Sequence, residues 1–272
     1  MNVSEVLARM TEQANLSLVI FTMGLLLCRV MPVLVLSPFL GGEVVPPEVK
    51  MGVGVMIAAV LFPAVSPRMG AIPTSALPYI GLMLKEIFIG VALSSIVNVV
   101  FEAARVAGNI VDTMSGSNNA QLYVPQLGQQ VSIFASLKVQ LAVVLFLTLN
   151  GHHLVIEALA DSLVVVPLDR FPRFSSGEWA FFELFIRSFA DLLKISLALA
   201  APPTLAAFLT DMALGAVNRV APQVQVFFIS MAIKPLVGVV IVFMSLGLIM
   251  GRMQTEFAAM LAMLRDAVRL LG

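Results

Sequence analysis

Charge is what this sequence has least of. Only 12% of its 272 residues are Asp, Glu, Lys or Arg, against 60% hydrophobic, whereas soluble chains run at roughly 25% charged and about 45–50% apolar. With a mean hydropathy of +1.00, a soluble domain is excluded, and the surface must be buried in lipid, in partner subunits, or in both. The few charges sum to a formal net of zero, so nothing points to nucleic acid or to electrostatic capture of an acidic substrate. Cysteine is almost absent too. Cys28 stands alone in an apolar run, which rules out an intramolecular disulfide and any multi-cysteine metal site. The stretch MNVSEVLARMTEQAN has neither a basic start nor a cleavage motif and is expected not to be a removable signal peptide. The class expected is an all-α integral membrane protein.

One stretch departs from the apolar background. From Asp112 to Ser132 runs DTMSGSNNAQLYVPQLGQQVS, polar but uncharged, with no formal charge between Asp112 and Lys138. Gly116, Pro125 and Gly128 break regular structure there. An uncharged, broken segment between membrane-type helices fits backbone that lines an internal aqueous or protein-filled cavity, the one place at membrane depth where such backbone is tolerated. An exposed connection that lacks charge is the plainer alternative.

Around it, the periodicity predicts a short amphipathic entry helix over residues 3–14, then a span over Leu16–Leu40 kinked or broken at Pro32. Gly41–Lys50 reads as a loop, and Met51–Val65, short for a full crossing, as a half-helix or a helix packed among others. A long helix follows from Tyr79 to Asp112, a fourth from Ile133 to Leu149, and a helix end or kink at Asn150–His153. Val166–Trp179 is the most loop-like segment and the expected boundary between two halves. Beyond it come a helix from Trp179 bent at Pro202–Pro203, a turn at Val220–Val226, a last apolar helix over Phe227–Met250, and an amphipathic tail. The tail carries Phe257, Leu261, Leu264, Val268 and Leu271 on one stripe, as an interfacial or partner-docking helix does.

Charges inside these helices are costly in lipid and normally face protein or water. Arg29, Lys85, Glu86 and Lys234 are the clearest cases. Arg29 either makes an ion pair with a partner or snorkels to a headgroup, and its central position favours the ion pair. Positive charge is spread so evenly that it gives no orientation. His153, Glu157 and Asp161 fall at four-residue steps, a spacing that metal-binding helices use, but no fourth ligand is evident and a polar helix face accounts for them. No metal, cofactor or catalytic residue is assigned.

Several blocks in order give the chain a resemblance over nearly its whole length. SPFLGGEVVPPEVKMGVGV, KEIFIGVALSSIVNVVFEAARVAGNIVD, LFLTLNGHHLVIEALADSLVVVPL and LGAVNRVAPQVQVFFISMAIK are similar to the FliR/SctT component of the bacterial type III export apparatus of flagella and injectisomes. KISLALAAPPTLAAFL with IKPLVGVVIVF looks like the two-helix FliQ/SctS subunit of that apparatus. The resemblance implies a FliP/SctR-like part over residues 1–178 and a FliQ/SctS-like hairpin with its tail over residues 179–272. It also implies a non-enzymatic subunit of a helical, multi-subunit pore in the bacterial inner membrane, at the base of the flagellum or injectisome. Its partners would be FliP/SctR-type, FliQ/SctS-type and FlhB/SctU-type proteins, membrane lipid, and the unfolded proteins exported through the pore. The family's pore plug maps onto Met114, Gly116, Ser117, Asn118, Asn119, Gln121, Tyr123, Pro125, Gln129 and Gln130.

Subunit contacts and buried polar positions are expected at Arg29, Lys85, Glu86, Asn218, Arg219, Gln223 and Lys234. Asn119-Ala120 and Val124-Pro125 depart from the usual flagellar pattern. Gln129-Gln130 and Lys234 look like injectisome members, Asn150–His153 like flagellar ones, so the machine served stays open. With no phosphate-binding loop, transport energy must come from elsewhere. A secondary transporter with helices broken at Pro32, Pro63, Pro202 and Pro235 is the competing class, but such a protein should contain two similar halves, and none is found. A metalloenzyme built on His152, His153, Glu157 and Asp161 is a weaker third.

Overall fold

The computed structural model describes residues 16–40, 45–65, 75–116, 122–124, 129–174 and 177–272. Eight α-helices lie among them: α1 (Leu16–Leu36), α2 (Pro47–Val65), α3 (Ala76–Ser115), α4 (Ile133–Thr148), α5 (Gly151–Val165), α6 (Glu178–Val220), α7 (Val226–Met244) and α8 (Leu246–Leu271). The expected entry helix lies outside the described residues, as do residues 41–44, Pro67 and Pro73. Helices α1, α2, α3, α6 and α7 are long and apolar enough to cross a membrane, and α4 with α5 adds a sixth if that broken pair counts as one span. The protein is an all-α, multi-pass membrane protein.

Prolines interrupt less than the sequence predicts. Pro32, Pro63, Pro202-Pro203 and Pro235 all sit inside continuous helices. In an apolar, packed setting a missing N–H leaves one carbonyl to be satisfied locally and does not end the helix. The short half-helix is corrected as well. Helix α2 begins at Pro47, where a proline's absent N–H is harmless, so it reaches 19 residues and the preceding loop is shorter than Gly41–Lys50. The real break comes where expected, after α4. Asn150 takes φ 57°, a left-handed conformation that asparagine tolerates, and donates its N–H to Leu147 O.

The chain forms two compact units from interleaved segments. The first takes residues 1–98, 152–185 and 261–272. In it α1 and α3 run parallel: Tyr79 Oη donates to Phe21 O, Arg29 meets Glu86, and Asn98 Nδ2 donates to Leu36 O. They approach closely at Gly90, where a Cβ would strike the Arg29 carbonyl. Leu25, Leu26, Val30, Ile89 and Ile96 are wholly buried there. Phe181 packs beside Phe88, Phe174 and Phe185. The second unit takes residues 99–151 and 186–260 and is centred on Phe101, Phe146 and Phe257, whose ring centroids lie 5.2–5.3 Å apart.

The tail differs from its expected role. Phe257, Leu264, Val268 and Leu271 are buried, and Leu271 O accepts the Arg173 N–H. Its apolar stripe packs on the protein's own core and not on an interface.

Candidate functional site: a clamped central hairpin

The central stretch is held at its base. Helix α3 runs to Ser115 and stops at Gly116, whose φ of 72° suits only glycine without strain. Helix α4 then starts after Ser132, an extended N-cap whose own hydroxyl makes no capping bond. The cap comes from the other helix. Asp112, 1% exposed, accepts the N–H of Phe134 at 3.4 Å and of Ala135 at 3.3 Å, and takes the Ser132 hydroxyl proton as well. A carboxylate at a helix N-terminus satisfies orphan donors and meets the positive end of the helix dipole. One turn back, Gly108 lies directly against the Phe134–Ala135 backbone, with no room for a Cβ. Two neighbouring features therefore pin the ends of the loop together.

Between them the structure describes an antiparallel ribbon, β1 (Leu122–Val124) and β2 (Gln129–Val131), paired Leu122 to Val131, Tyr123 to Gln130 and Val124 to Gln129. The sequence reading missed these strands. Their signal was present: an aromatic and β-branched LYV, a Pro-x-x-Gly turn, then QQV. Of the plug candidates, Met114 is exposed on the last turn of α3 and Gly116 ends the helix. Tyr123, Gln129 and Gln130 lie in the ribbon. Ser117, Asn118, Asn119, Gln121 and Pro125 lie outside the described residues.

The buried charges are a second finding. Arg29 is 0% exposed and meets Glu86 through both Nε and Nη2, the latter at 2.9 Å. It also donates to Ser162 O at 2.8 Å and Val166 O at 2.9 Å. Lys85 pairs with the same carboxylate and donates to the carbonyls of Pro167, Leu168 and Arg170 at 3.0–3.1 Å. The ion pair expected to face a partner is thus made inside the chain. Both cations sit at the C-terminal end of α5, where the last carbonyls and the helix dipole favour positive charge.

Lys234 also finds a partner within the chain, Asp211 at 2.5 Å. Asn218, Arg219 and Gln223 are exposed, not buried. His153, Glu157 and Asp161 share an exposed face of α5.

Outside these contacts lies a broad apolar surface. Phe182, Ile186, Phe189, Leu197, Leu205 and Phe208 on α6 are all more than half exposed. So are Phe227, Phe228, Leu236 and Phe243 on α7.

Residues 20–260 match the family described as bacterial export proteins, family 1. The chain belongs to that family. Among curated relatives it is 26% identical to the flagellar biosynthetic protein FliR of Bacillus subtilis, over 91% of this chain and 95% of the relative. It is 29% identical to FliR of Escherichia coli K12, over 89% and 90%. It is 31% identical to the Yop proteins translocation protein T of Yersinia pestis, over 79% and 82%. The family thus includes both flagellar and Yop-translocation members at similar distance from this chain, and the match runs through the clamped hairpin.

Proposed function

We propose that the protein is a structural subunit of a type III export gate in the bacterial inner membrane, and that residues 112–132 form a plug closing its pore. FliP/SctR-type and FliQ/SctS-type subunits complete the pore, an FlhB/SctU-type protein engages it, and unfolded flagellar or effector proteins pass through. Residues 1–178 take the FliP/SctR-like role and residues 179–272 the FliQ/SctS-like one. The role is mechanical, not enzymatic.

The observation that carries this is the hairpin. In a family of export proteins, an uncharged loop is tied rigidly at both ends by Asp112 and by the Gly108–Ala135 contact. Such a base localises the loop, while its glycine-containing, uncharged body can pack as a seal and yet move aside at low conformational cost. The apolar faces of α6 and α7 supply area for lipid and neighbouring subunits. Asn218, Arg219 and Gln223, exposed at the α6–α7 turn, are candidate contacts with them.

The test replaces Gly116–Gln126 with a short Gly-Ser linker in cells that make the full assembly. A rise in ion leakage with the assembly intact is expected. An assembled but ion-tight membrane would assign the seal to other subunits.

A further inference from the structure

Lys138 is a buried cation beside the hairpin's clamp, within the electrostatic reach of Asp112. It lies six residues past the capped start of α4, is 0% exposed, and makes no ion pair among the described residues. Its ammonium donates instead to two carbonyls, Leu199 O at 2.9 Å and Ala107 O at 3.4 Å. The first identifies what it does. In an α-helix, Leu199 O would accept the N–H of residue 203, but residue 203 is proline, inside α6 with Pro202 before it. The acceptor orphaned by Pro203 is the one that Lys138 fills. Its second contact, Ala107, is the residue before Gly108, where α3 and α4 touch. One side chain therefore joins the two helices at the loop's base to the proline pair inside α6.

We infer that Lys138 is a positioning residue that locks the base of the central hairpin to the Pro202–Pro203 segment of α6, so that the start of α4 and that segment move as one. A buried ammonium has to keep its acceptors. Bending α6 at Leu199 therefore draws on α4 just below its Asp112-capped N-terminus, and displacing the start of α4 draws on α6. The consequence for sealing rests on the plug proposal above, while the tie itself does not.

The experiment compares Lys138→Met, Pro203→Ala and the double variant in the intact assembly. The readouts are thermal midpoint, hydrogen–deuterium exchange at the amides of residues 133–137, and ion leakage. Lys138→Met leaves Leu199 O unsatisfied and is expected to lower the midpoint and speed exchange several-fold. In the double variant the Pro203→Ala change restores a backbone N–H as donor to Leu199 O. The midpoint should then recover while the fast exchange persists, because the helix is satisfied but the tie is gone. Leakage should follow exchange and not the midpoint.

The inference is overturned if the double variant regains both midpoint and protection, or if Lys138→Met leaves protection at the wild-type level. It is also overturned if the double variant fails to assemble while Pro203→Ala assembles normally, since Lys138 would then serve packing alone. If the linker replacement leaks but an assembled Lys138→Met protein with fast exchange does not, the plug proposal stands and the control of sealing by Lys138 fails. If the linker replacement is tight, the plug proposal fails and the exchange data still decide the tie.

Discussion

Glu86→Gln removes the carboxylate that two buried cations share. In the wild type the carboxylate takes Arg29 Nε and Nη2 and the Lys85 ammonium, with the Arg29, Glu86 and Lys85 side chains 0%, 0% and 3% exposed. Glutamine keeps the shape and can accept from one cation through Oε1, but its amide nitrogen, a donor, then faces the other. Removing one partner of a buried pair costs about 3–5 kcal/mol, and the upper half of that range applies because two cations lose the carboxylate they share. The carbonyls of Ser162, Val166, Pro167, Leu168 and Arg170 keep the loss from running higher. At about 2–4 °C per kcal/mol for a protein of this size class, the thermal midpoint falls by roughly 8–16 °C at a loss of about 4 kcal/mol. Gel filtration of the detergent-solubilised assembly after graded heating measures it. Glu102→Gln is the control: its partner Arg105 is 3.5 Å away and both side chains are more than 40% exposed, so solvent screening limits the effect to about 0–1 kcal/mol. Equal midpoints for the two variants would refute the claim that Glu86 neutralises buried cations.

Three more substitutions separate packing from assembly. Gly108→Ala forces a Cβ into the Phe134–Ala135 backbone and should cost about 1–3 kcal/mol despite roughly 1 kcal/mol gained in helix propensity. Gly52→Ala, where nothing lies within 4 Å, should keep that propensity gain, and thermal midpoints of the two give the comparison. Lys234→Leu breaks a pair whose Lys234 and Asp211 side chains are 20% and 50% exposed, so it should change stability by only about 1 kcal/mol or less and barely move the midpoint. A fall in assembled complex at an unchanged midpoint would then place Lys234 at a subunit contact.

The class of the fold was legible because hydropathy sets it: 12% charge over 272 residues leaves no soluble alternative. The central loop was legible as an uncharged interruption, and Asn150 as a helix break, because turn chemistry is local. The clamp was not. Asp112 caps a helix whose first turn lies 22 residues further on, and capping rules look for a cap at the preceding residue, here Ser132. The direction of Arg29 was equally out of reach. Its partners Glu86, Ser162 and Val166 lie 57, 133 and 137 residues away, and a sequence shows that a buried charge needs a partner without showing which. The tail was misassigned for the same reason. A stripe of Phe257, Leu264, Val268 and Leu271 says that something covers it, and only tertiary packing shows that the cover is the protein itself.

Charges and prolines recur together in these helices, and the geometry accounts for it. A membrane protein that breaks or ends a helix away from water leaves carbonyls that lipid cannot satisfy. A buried lysine or arginine supplies several donors and also favours the negative end of a helix dipole. Arg29 and Lys85 do this where α5 ends and the chain turns through Pro167. Lys138 does it at Leu199, where Pro203 has removed the backbone donor. Lys234, beside Pro235, departs from the pattern, reaching Asp211 on another helix and keeping part of its side chain exposed. Beside it the apolar face of α7 is open, with Leu236 66% exposed. There a neighbouring subunit could supply the acceptors that the chain supplies for itself at the other two sites, which is why the assembly yield of Lys234→Leu is the more informative of its two measurements.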